Sequence, residues 1–425
     1  MQKKYQWVIV GGGTGAREAA AEAAQLGLKT ALVEHKKKEI APILRLPQLS
    51  RYQTLDDPKY SLDRLRSLGV DVLVGAFRFA NAKTITNGID VHRAKRFLIA
   101  TGKHPHVPQI PWMEQVAPIT LENISELTTI PKQLLIWGGG SLGCELAQTF
   151  AQIGSQVTLL EESSQLLPGE DWEVARLIHQ RFLAEGIQIH LNAKPIRVQK
   201  IGDVTHLDIK QNNREQTLDT EQLFVATGLR PNIAGWDLDR AGIQHTPSEI
   251  TVDATLKTSV SHIYASSNAM EAKLALHNAF FPFAKKVSVR LTPHCTFTNP
   301  EIAQIGLNET EAKAKNIPYD LYTYPINDLP HARHDPEACG FLKVLTPQKS
   351  DQILGATLVG NSASLLIHEM GLAMQHRLGL KKIAKLVHVS PTLSEGVTQL
   401  AEQWAQTRLT QPMQRIMQKY FELFF

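Results

Sequence analysis

The 425-residue chain is poor in cysteine. Only Cys144, Cys295 and Cys339 are present, they stand far apart, and no C-x-x-C pair occurs. This excludes a framework held by disulfides and favours a reducing cytoplasm. The first 143 residues contain no cysteine at all, which later bears on the chemistry.

Long apolar runs and an excess of one charge are absent too. No segment approaches the ~18 uninterrupted apolar residues of a membrane span, and the N-terminal apolar stretch is too short for a signal peptide. The formal net charge is +4, with Lys and Arg scattered, so nucleic-acid binding has little support. We therefore expect a cytoplasmic protein of about three domains.

The strongest positive signal is an internal repeat. Residues 8–34 read VIVGGGTGAREAAAEAAQLGLKTALVE, and residues 135–161, displaced by 127 positions, read LIWGGGSLGCELAQTFAQIGSQVTLLE. Each copy predicts a strand, a glycine turn, an alanine-rich helix and a strand that leads to an acid. Further on, FLIATG at 97–102 is echoed by LFVATG at 223–228. The chain therefore predicts two tandem β-α-β units.

Each glycine turn has the spacing of a dinucleotide-binding fingerprint. Four glycines permit the tight turn and the close approach of backbone to a pyrophosphate at the helix N-terminus: Gly11, Gly13, Gly138 and Gly140. Gly143 allows the helix to pack closely on its strand, and Ala16 takes that role in the first copy. Glu34 and Glu161 are placed to accept hydrogen bonds from a ribose. The expected cofactor-binding set also includes Gly15, Thr101, Gly102 and Gly228.

The acid of the second copy also bears on which dinucleotide binds there. Glu161 is followed by Glu162, and no arginine follows closely to receive a 2′-phosphate. Two carboxylates would repel that phosphate. We therefore expect the second unit to prefer NAD(H) to NADP(H).

The third region completes a resemblance to the pyridine nucleotide-disulfide oxidoreductases, which include dihydrolipoamide dehydrogenase, mercuric reductase and glutathione reductase. CTFTNPEIAQIGLNETEAKAKN (295–316), GFLKVL (340–345), ILGATLVGNSASLLIHEMGLAM (353–374) and VSPTLSE (389–395) resemble that family's dimerisation domain. The resemblance implies an α/β fold with two tandem Rossmann-like domains for FAD and NAD and a C-terminal α+β domain that forms a homodimer. The expected boundaries are 1–112 and 253–287 for FAD, 113–252 for NAD, 288–405 for the interface domain and 406–425 for a tail helix.

The first departure from the family concerns its redox cysteines. The family places them about ten residues after the first acid, in a G-G-T-C-x-N-x-G-C motif. Here Glu34 is followed by HKKKEIAPILRLPQLSRYQTL, and the stretch up to Thr101 is shortened. A dithiol relay from the flavin is therefore not expected.

The second departure concerns the family's catalytic histidine, whose position is occupied by Ser390. A serine hydroxyl does not titrate near neutral pH and cannot replace the imidazole as a general base. Glu395, the family's orienting acid, remains, and with Thr392 it has the spacing of a capping box. His388 is a weaker alternative for the base.

The third departure lies in the A-x-G-D turn, whose aspartate binds the flavin ribityl chain in the family. Here it reads Ala265-Ser266-Ser267-Asn268. Asn268 can still accept a hydrogen bond but carries no charge. Each change could cost on the order of 1 kcal/mol of flavin affinity, although FAD remains the expected first cofactor.

Other side chains have open interpretations. The resemblance implies that Glu145 lies near the nicotinamide, the alternative being a glutamate on the helix surface. Cys144 follows a glycine turn, where a thiolate would be favoured, or else it packs helix on sheet. His104 and His106, and likewise His331 and His334, have a spacing that a metal could use, but we expect surface histidines and no metal site.

The tail QPMQRIMQKYFELFF (411–425) predicts an amphipathic helix. Its apolar residues recur at helical spacing: Met413, Ile416, Met417, Tyr420, Phe421, Phe424 and Phe425. We expect this stripe to dock on the protein's own dimer. The alternatives are a peripheral contact with a membrane or a partner protein.

Two functional hypotheses follow. The first is an FAD-dependent oxidoreductase in which NADH passes hydride to the flavin, and the flavin reduces a non-disulfide acceptor such as a quinone, another small molecule, a metal ion or oxygen. The second is a catalytically degenerate, nucleotide-binding homodimer that acts as a sensor or scaffold. The colour of the purified protein, and its bleaching by NADH, separates them.

Overall fold

A computed structural model describes residues 2–34, 58–287, 291–330, 332, 339–408 and 411–424. By internal contacts the chain divides into two compact units. The first unit comprises Met1–Pro108, Ile119–Thr129 and Thr227–Val287. The second comprises Gln109–Pro118, Ile130–Ala226 and Ser288–Phe425.

The secondary structure of the N-terminal part is mainly short strands with two helices. In chain order the elements are β1 (Gln2–Val10), α1 (Thr14–Gln25), β2 (Thr30–Glu34), α2 (Leu62–Ser67), β3 (Asp71–Val74), β4 (Arg78–Asn81), β5 (Thr84–Thr86), β6 (Val91–Ile99) and β7 (Lys103–Pro105).

The middle part repeats the pattern and adds an antiparallel sheet. Its elements are β8 (Gln133–Trp137), α3 (Ser141–Gln152), β9 (Gln156–Leu160), α4 (Trp172–Ala184), β10 (Gln188–His190), β11 (Ala193–Ile201), β12 (Val204–Gln211), β13 (Arg214–Thr220), β14 (Gln222–Val225), β15 (Leu229–Pro231), β16 (His245–Thr246), β17 (Glu249–Ile250), β18 (Ile263–Ala265) and α5 (Ala269–Phe280).

The C-terminal part forms a sheet and then helices. Its elements are β19 (His294–Thr296), β20 (Glu301–Gly306), α6 (Glu309–Ala314), β21 (Tyr319–Pro325), β22 (Phe341–Pro347), β23 (Gly355–Gly360), α7 (Ala363–Gln375), α8 (Leu380–Ile383), α9 (Glu395–Thr407) and α10 (Gln411–Phe424). Among the described residues, no helix combines the length and apolarity needed to cross a membrane.

The main sheet of the first unit has the order β3-β2-β1-β6-β5-β4, and β18 also pairs with β6. The strands β3, β2, β1, β6 and β18 run parallel. Strand β2 is buried along its whole length, as expected for a parallel strand covered on both faces. On one face the alanines of α1 pack together with α5, so that both helices lie in one apolar core with Trp7 and Tyr264.

The second unit contains the matching sheet β10-β9-β8-β14, which is parallel throughout. The elements of the two copies have the same spacing along the chain: β1 ends at Val10 and β8 at Trp137, and both helices that follow have 12 residues. The predicted β-α-β repeat is therefore present. The sheet β19-β20-β23-β22-β21 is antiparallel and packs with α7 and α9 around a core of its own.

Candidate functional site

The first glycine turn joins β1 to α1 in a shape that only glycine permits. Gly11 has a φ of +129°, and a Cβ there would lie 2.1 Å from the carbonyl oxygen of Ala100. Such a backbone is strained for any side chain. At Gly13 a Cβ would meet no atom of the described residues within 4 Å. The turn therefore leaves open space in front of the α1 N-terminus, and Gly140 leaves the same space before α3.

The middle glycine of each turn lies against the acid of the same copy. A Cβ on Gly12 would lie 2.6 Å from Cγ of Glu34, and one on Gly139 would lie 2.9 Å from Cβ of Glu161. Neither Gly12 nor Gly139 was singled out from the sequence. The signal that could have revealed it is the run of three glycines in both copies.

Glu34 is buried at the end of β2 and is 8% exposed. Its Oε1 accepts a hydrogen bond of 2.9 Å from Nη2 of Arg17, on α1. Its Oε2 is buried and has no hydrogen-bond partner among the described residues. An unpaired buried carboxylate oxygen costs free energy, so this oxygen is a natural acceptor for a hydroxyl donor such as a ribose. Arg17 was missed by the sequence analysis.

Glu161 is held differently in the second copy. Its Oε2 accepts from the amide of Gly139 at 2.7 Å, and its Oε1 accepts from the amide of Ser163 at 2.8 Å. The side chain is 8% exposed. Backbone donors therefore orient this carboxylate before any ligand arrives.

The helices of the two copies approach their neighbours through different positions. A Cβ on Gly143 would lie 1.8 Å from the carbonyl oxygen of Gly138, whereas the corresponding Ala16 is accommodated and 1% exposed. A Cβ on Gly15 would lie 2.9 Å from Cα of Ala269. Gly15 therefore lets the N-terminal ends of α1 and α5 meet.

The A-T-G turns follow the ends of β6 and β14. The backbone amide and the side-chain amide of Asn232 donate to the carbonyls of Gly102 and Thr101, respectively. The carbonyl of Gly228 accepts from the amide of His106. Gly102 and Gly228 are thus each fixed by a backbone hydrogen bond to their carbonyl oxygen.

Asn268 is the N-cap of α5, and its Oδ1 accepts from the amide of Glu271 at 2.9 Å. In return, Oε2 of Glu271 accepts from the amide of Ser267 at 2.6 Å and from its hydroxyl at 2.8 Å. This is a variant of the capping box, in which the carboxylate bonds the amide of Ser267, the residue before the N-cap, rather than that of the N-cap itself. Glu271 was not singled out from the sequence, although its spacing from Asn268 is that of such a box.

Glu145 is buried on α3 rather than on the helix surface, with 7% exposure. Its Oε1 accepts from the amide of Phe297 at 2.9 Å. The neighbouring Cys144 is fully buried, and burial, together with the charge of Glu161, raises the pKa of its thiol. Cys144 is therefore a packing residue, and the thiolate alternative is wrong.

Ser390 is exposed and Glu395 begins α9. The carboxylate of Glu395 accepts from the amide of Thr392 at 3.2 Å, but the Thr392 hydroxyl donates to the carbonyl of Val389. Half of the predicted capping box is thus correct and half is wrong. His388 instead bonds Glu369 through Nε2 and Thr398 through Nδ1, at 3.1 and 2.6 Å.

Of the four histidines considered as metal ligands, His331 and His334 lie outside the described residues. His104 belongs to β7, and Nε2 of His106 lies 3.1 Å from a guanidinium nitrogen of Arg230. Burial and the positive charge of Arg230 lower the pKa of His106.

A charged cluster in the second unit was also missed. The ammonium of Lys343, 1% exposed, contacts Asp171 at 2.7 Å, Glu309 at 2.7 Å and Glu173. The three carboxylates stand close enough together to hold a cation. Lys343 already supplies that cation, so we assign the cluster to structure.

A sequence profile described as pyridine nucleotide-disulphide oxidoreductase matches residues 5–280, and the dimerisation-domain profile of the same family matches residues 292–401. The chain belongs to the pyridine nucleotide-disulphide oxidoreductase family. The expected fold, with two Rossmann-like domains and a C-terminal dimerisation domain, is thereby confirmed.

Relatives within this family include mercuric reductases and dihydrolipoyl dehydrogenases. The mercuric reductase of Bacillus cereus is 29% identical, with 92% of this chain and 70% of that protein covered. The mercuric reductase of Lysinibacillus sphaericus is 31% identical, and only 65% of it is covered. The dihydrolipoyl dehydrogenase of Chlamydia trachomatis is 29% identical, with 96% and 97% covered.

A solved structure with the same fold is that of the HOCl-induced flavoprotein disulfide reductase RclA from Escherichia coli. Its TM-score is 0.79 at 24% identity, with 94% of this chain and 99% of that chain covered. This similarity concerns the fold alone.

Proposed function

We propose that the protein is an FAD-dependent NADH oxidoreductase whose acceptor is not a disulfide. The observation that carries the proposal is the duplicated cradle. Each copy has open space before a helix N-terminus and a buried carboxylate behind the turn. In the first copy the unpartnered Oε2 of Glu34 fits a ribose hydroxyl. When bound, FAD would supply the hydride acceptor for NADH and the electron donor for a second substrate.

The residues proposed to hold FAD are those of the first cradle and its neighbours: Gly11, Gly13, Gly15, Ala16, Glu34, Thr101, Gly102 and Asn268. The residues proposed to hold NADH are Gly138, Gly140, Gly143, Glu161 and Gly228, with Glu145 near the nicotinamide. The absence of any cysteine before Cys144 and the serine at position 390 support a non-disulfide acceptor. Suitable classes are a quinone, another small molecule, a metal ion and oxygen.

The proposal is tested with purified, flavin-supplemented protein under anaerobic conditions. We expect flavin absorption bands that NADH bleaches and NADPH bleaches much more slowly. The variant Glu161→Gln together with Glu162→Gln should narrow the gap between NADH and NADPH, because the carboxylates that repel the 2′-phosphate are gone. Protein that stays colourless after supplementation would contradict the proposal, and equal bleaching by both nucleotides would contradict the NADH preference.

The second candidate is a catalytically degenerate, nucleotide-binding homodimer that acts as a sensor or scaffold. The capping of α5 by Glu271 favours it, because this carboxylate takes hydrogen-bond donors at the turn where the family binds flavin. NADH binding without flavin binding would support this candidate. Bleaching of bound flavin by NADH would exclude it.

The match of residues 292–401 to the dimerisation domain supports a homodimer. For the tail helix α10, we propose docking on that dimer, since α10 follows the dimerisation domain directly in the chain. A membrane or a partner protein remains the competing occupant of its apolar stripe. We place the protein in the cytoplasm on its cysteine content, with a peripheral membrane contact only if the tail binds lipid.

A further inference from the structure

We propose that Glu271 weakens the binding of FAD and thereby makes the cofactor exchangeable. This inference rests on the proposed flavin site in the first unit. It is based on the position of the Glu271 carboxylate, which belongs neither to the glycine turns nor to the ion pair of Arg17 and Glu34.

The N-terminal ends of α1 and α5 lie side by side. A Cβ on Gly15 would be 2.9 Å from Cα and 3.0 Å from N of Ala269, the first residue of α5. A pyrophosphate before α1 therefore also faces the start of α5. Two helix N-termini together would make a favourable anion site, because both present backbone amides and positive dipole ends.

Glu271 opposes that attraction at α5. Its Oε2 accepts hydrogen bonds from both the amide and the hydroxyl of Ser267, at 2.6 and 2.8 Å. Asn268 completes the box by accepting from the Glu271 amide. The amide and hydroxyl of Ser267 are therefore occupied and do not bind phosphate, and the Glu271 carboxylate adds a negative charge beside them. The basic Lys273 on the same helix is engaged by Glu18 at 2.8 Å, so it is not a free counter-charge.

The inference is tested by titrating apo-protein with FAD in a calorimeter, comparing wild type with Glu271→Gln. Glutamine can still accept from Ser267 but carries no charge, so the cap is kept while the repulsion is removed. We expect the Kd for FAD to fall by about threefold or more at low salt, and the difference to shrink in high salt, where charges are screened.

Glu311→Gln provides a matched control. Glu311 occupies the same position of α6, where the side chain of Asn308 accepts from its amide at 2.8 Å. This variant should leave the Kd for FAD unchanged. Thermal denaturation of both variants without ligand separates an altered fold from an altered site.

A second titration uses riboflavin, which has the isoalloxazine ring but no phosphate. The Glu271→Gln change should leave riboflavin binding unaltered if the carboxylate acts on the pyrophosphate. Equal FAD affinity in wild type and variant overturns the inference while leaving the proposed function intact. FAD binding by neither protein overturns both, and binding by the variant alone supports the inference while showing that the wild-type chain is not a flavoprotein.

Discussion

At the scale of single residues, the charged cluster around Lys343 contains buried charges that each depend on the others as partners. An ammonium that is 1% exposed contacts carboxylates of Asp171, Glu173 and Glu309. These residues come from α4, its N-cap and α6, while Lys343 lies on β22. The cluster therefore joins the part of the second unit that contains the second β-α-β copy to its C-terminal sheet.

Replacing Lys343 by methionine should destabilise the protein strongly. The buried carboxylates would lose their partner, and breaking a buried ion pair typically costs about 3–5 kcal/mol. Lys315→Met is the control, because Lys315 lies 3.9 Å from Glu311 in a surface pair worth about 1 kcal/mol or less. Urea denaturation of both variants measures the difference, and equal losses would show that the Lys343 cluster is not a structural centre.

The same cluster predicts an acid dependence of stability. Burial raises the pKa of Glu309, but hydrogen bonds from Lys343 and Tyr319 outweigh it and bring the pKa to about 2. Burial also raises the pKa of Asp171, but the hydrogen bonds from Lys343 and Thr310 and the charge of Lys343 together outweigh it and lower the pKa. Folded-state pKa values below the unfolded ones stabilise the protein above pH ~4 and lose that effect as the pH falls.

We therefore expect the free energy of unfolding of the wild type to drop between about pH 4 and pH 2. The penalty of Lys343→Met should shrink over the same range, because protonation removes the unpaired charges. Unfolding measured across a pH series checks this. A penalty that is constant with pH would mean that Lys343 acts through packing of its alkyl chain.

At the scale of elements, the turn before α3 separates the demands of folding from those of binding. A Cβ on Gly143 would lie 1.8 Å from a backbone oxygen, whereas one on Gly140 would meet no atom within 4 Å in the part of the chain that the structure describes. The two glycines lie three residues apart, Gly140 as the extended N-cap of α3 and Gly143 within the first turn of the helix. Alanine at each position is thus a matched pair.

Gly143→Ala should cost about 1–3 kcal/mol of stability, because the methyl group displaces backbone. Gly140→Ala should leave the melting temperature close to that of the wild type but raise the Kd for NADH about tenfold or more, since the methyl occupies the approach of the pyrophosphate. Thermal melts and NADH titrations distinguish the two. Unchanged NADH binding by Gly140→Ala would show that the cradle does not hold the pyrophosphate.

At the scale of the whole molecule, the tail helix α10 has a role that neither the two glycine turns nor the family resemblance explains. The described members of its apolar stripe are exposed, among them Ile416, Phe421 and Phe424 at 68, 51 and 67%. Such a continuous exposed stripe marks a contact surface. The family profile for the dimerisation domain ends at residue 401, before this helix begins.

A chain truncated after residue 408 should form a weaker dimer than the full chain, so that its dimer dissociates at higher protein concentrations. The reason is that the apolar stripe, if the dimer buries it, would stabilise the dimer. Sedimentation equilibrium of both chains measures this. Flotation with anionic vesicles is the companion experiment. Unchanged dimerisation together with loss of vesicle binding on truncation would assign the tail to a membrane instead.

Much of the architecture was predictable because its causes are local. The repeat of strand, glycine turn and helix follows from side-chain periodicity and from backbone angles that only glycine adopts, as at Gly11 and Gly138. The absence of a cysteine pair and of the catalytic histidine is likewise visible in the sequence. By themselves these residues determined the fold class and the family, and they supported the expectation of non-disulfide chemistry.

The tertiary structure alone decided how the charged side chains are paired. Arg17 with Glu34, Lys343 with Asp171 and Glu271 with Ser267 were all missed, as was the burial of Cys144, which raises the pKa of its thiol. The energy of a buried charge depends on the few atoms around it, which can come from positions as far apart as 172 residues. Sequence patterns record which face of an element is apolar, but they do not record which distant partner a charge will meet.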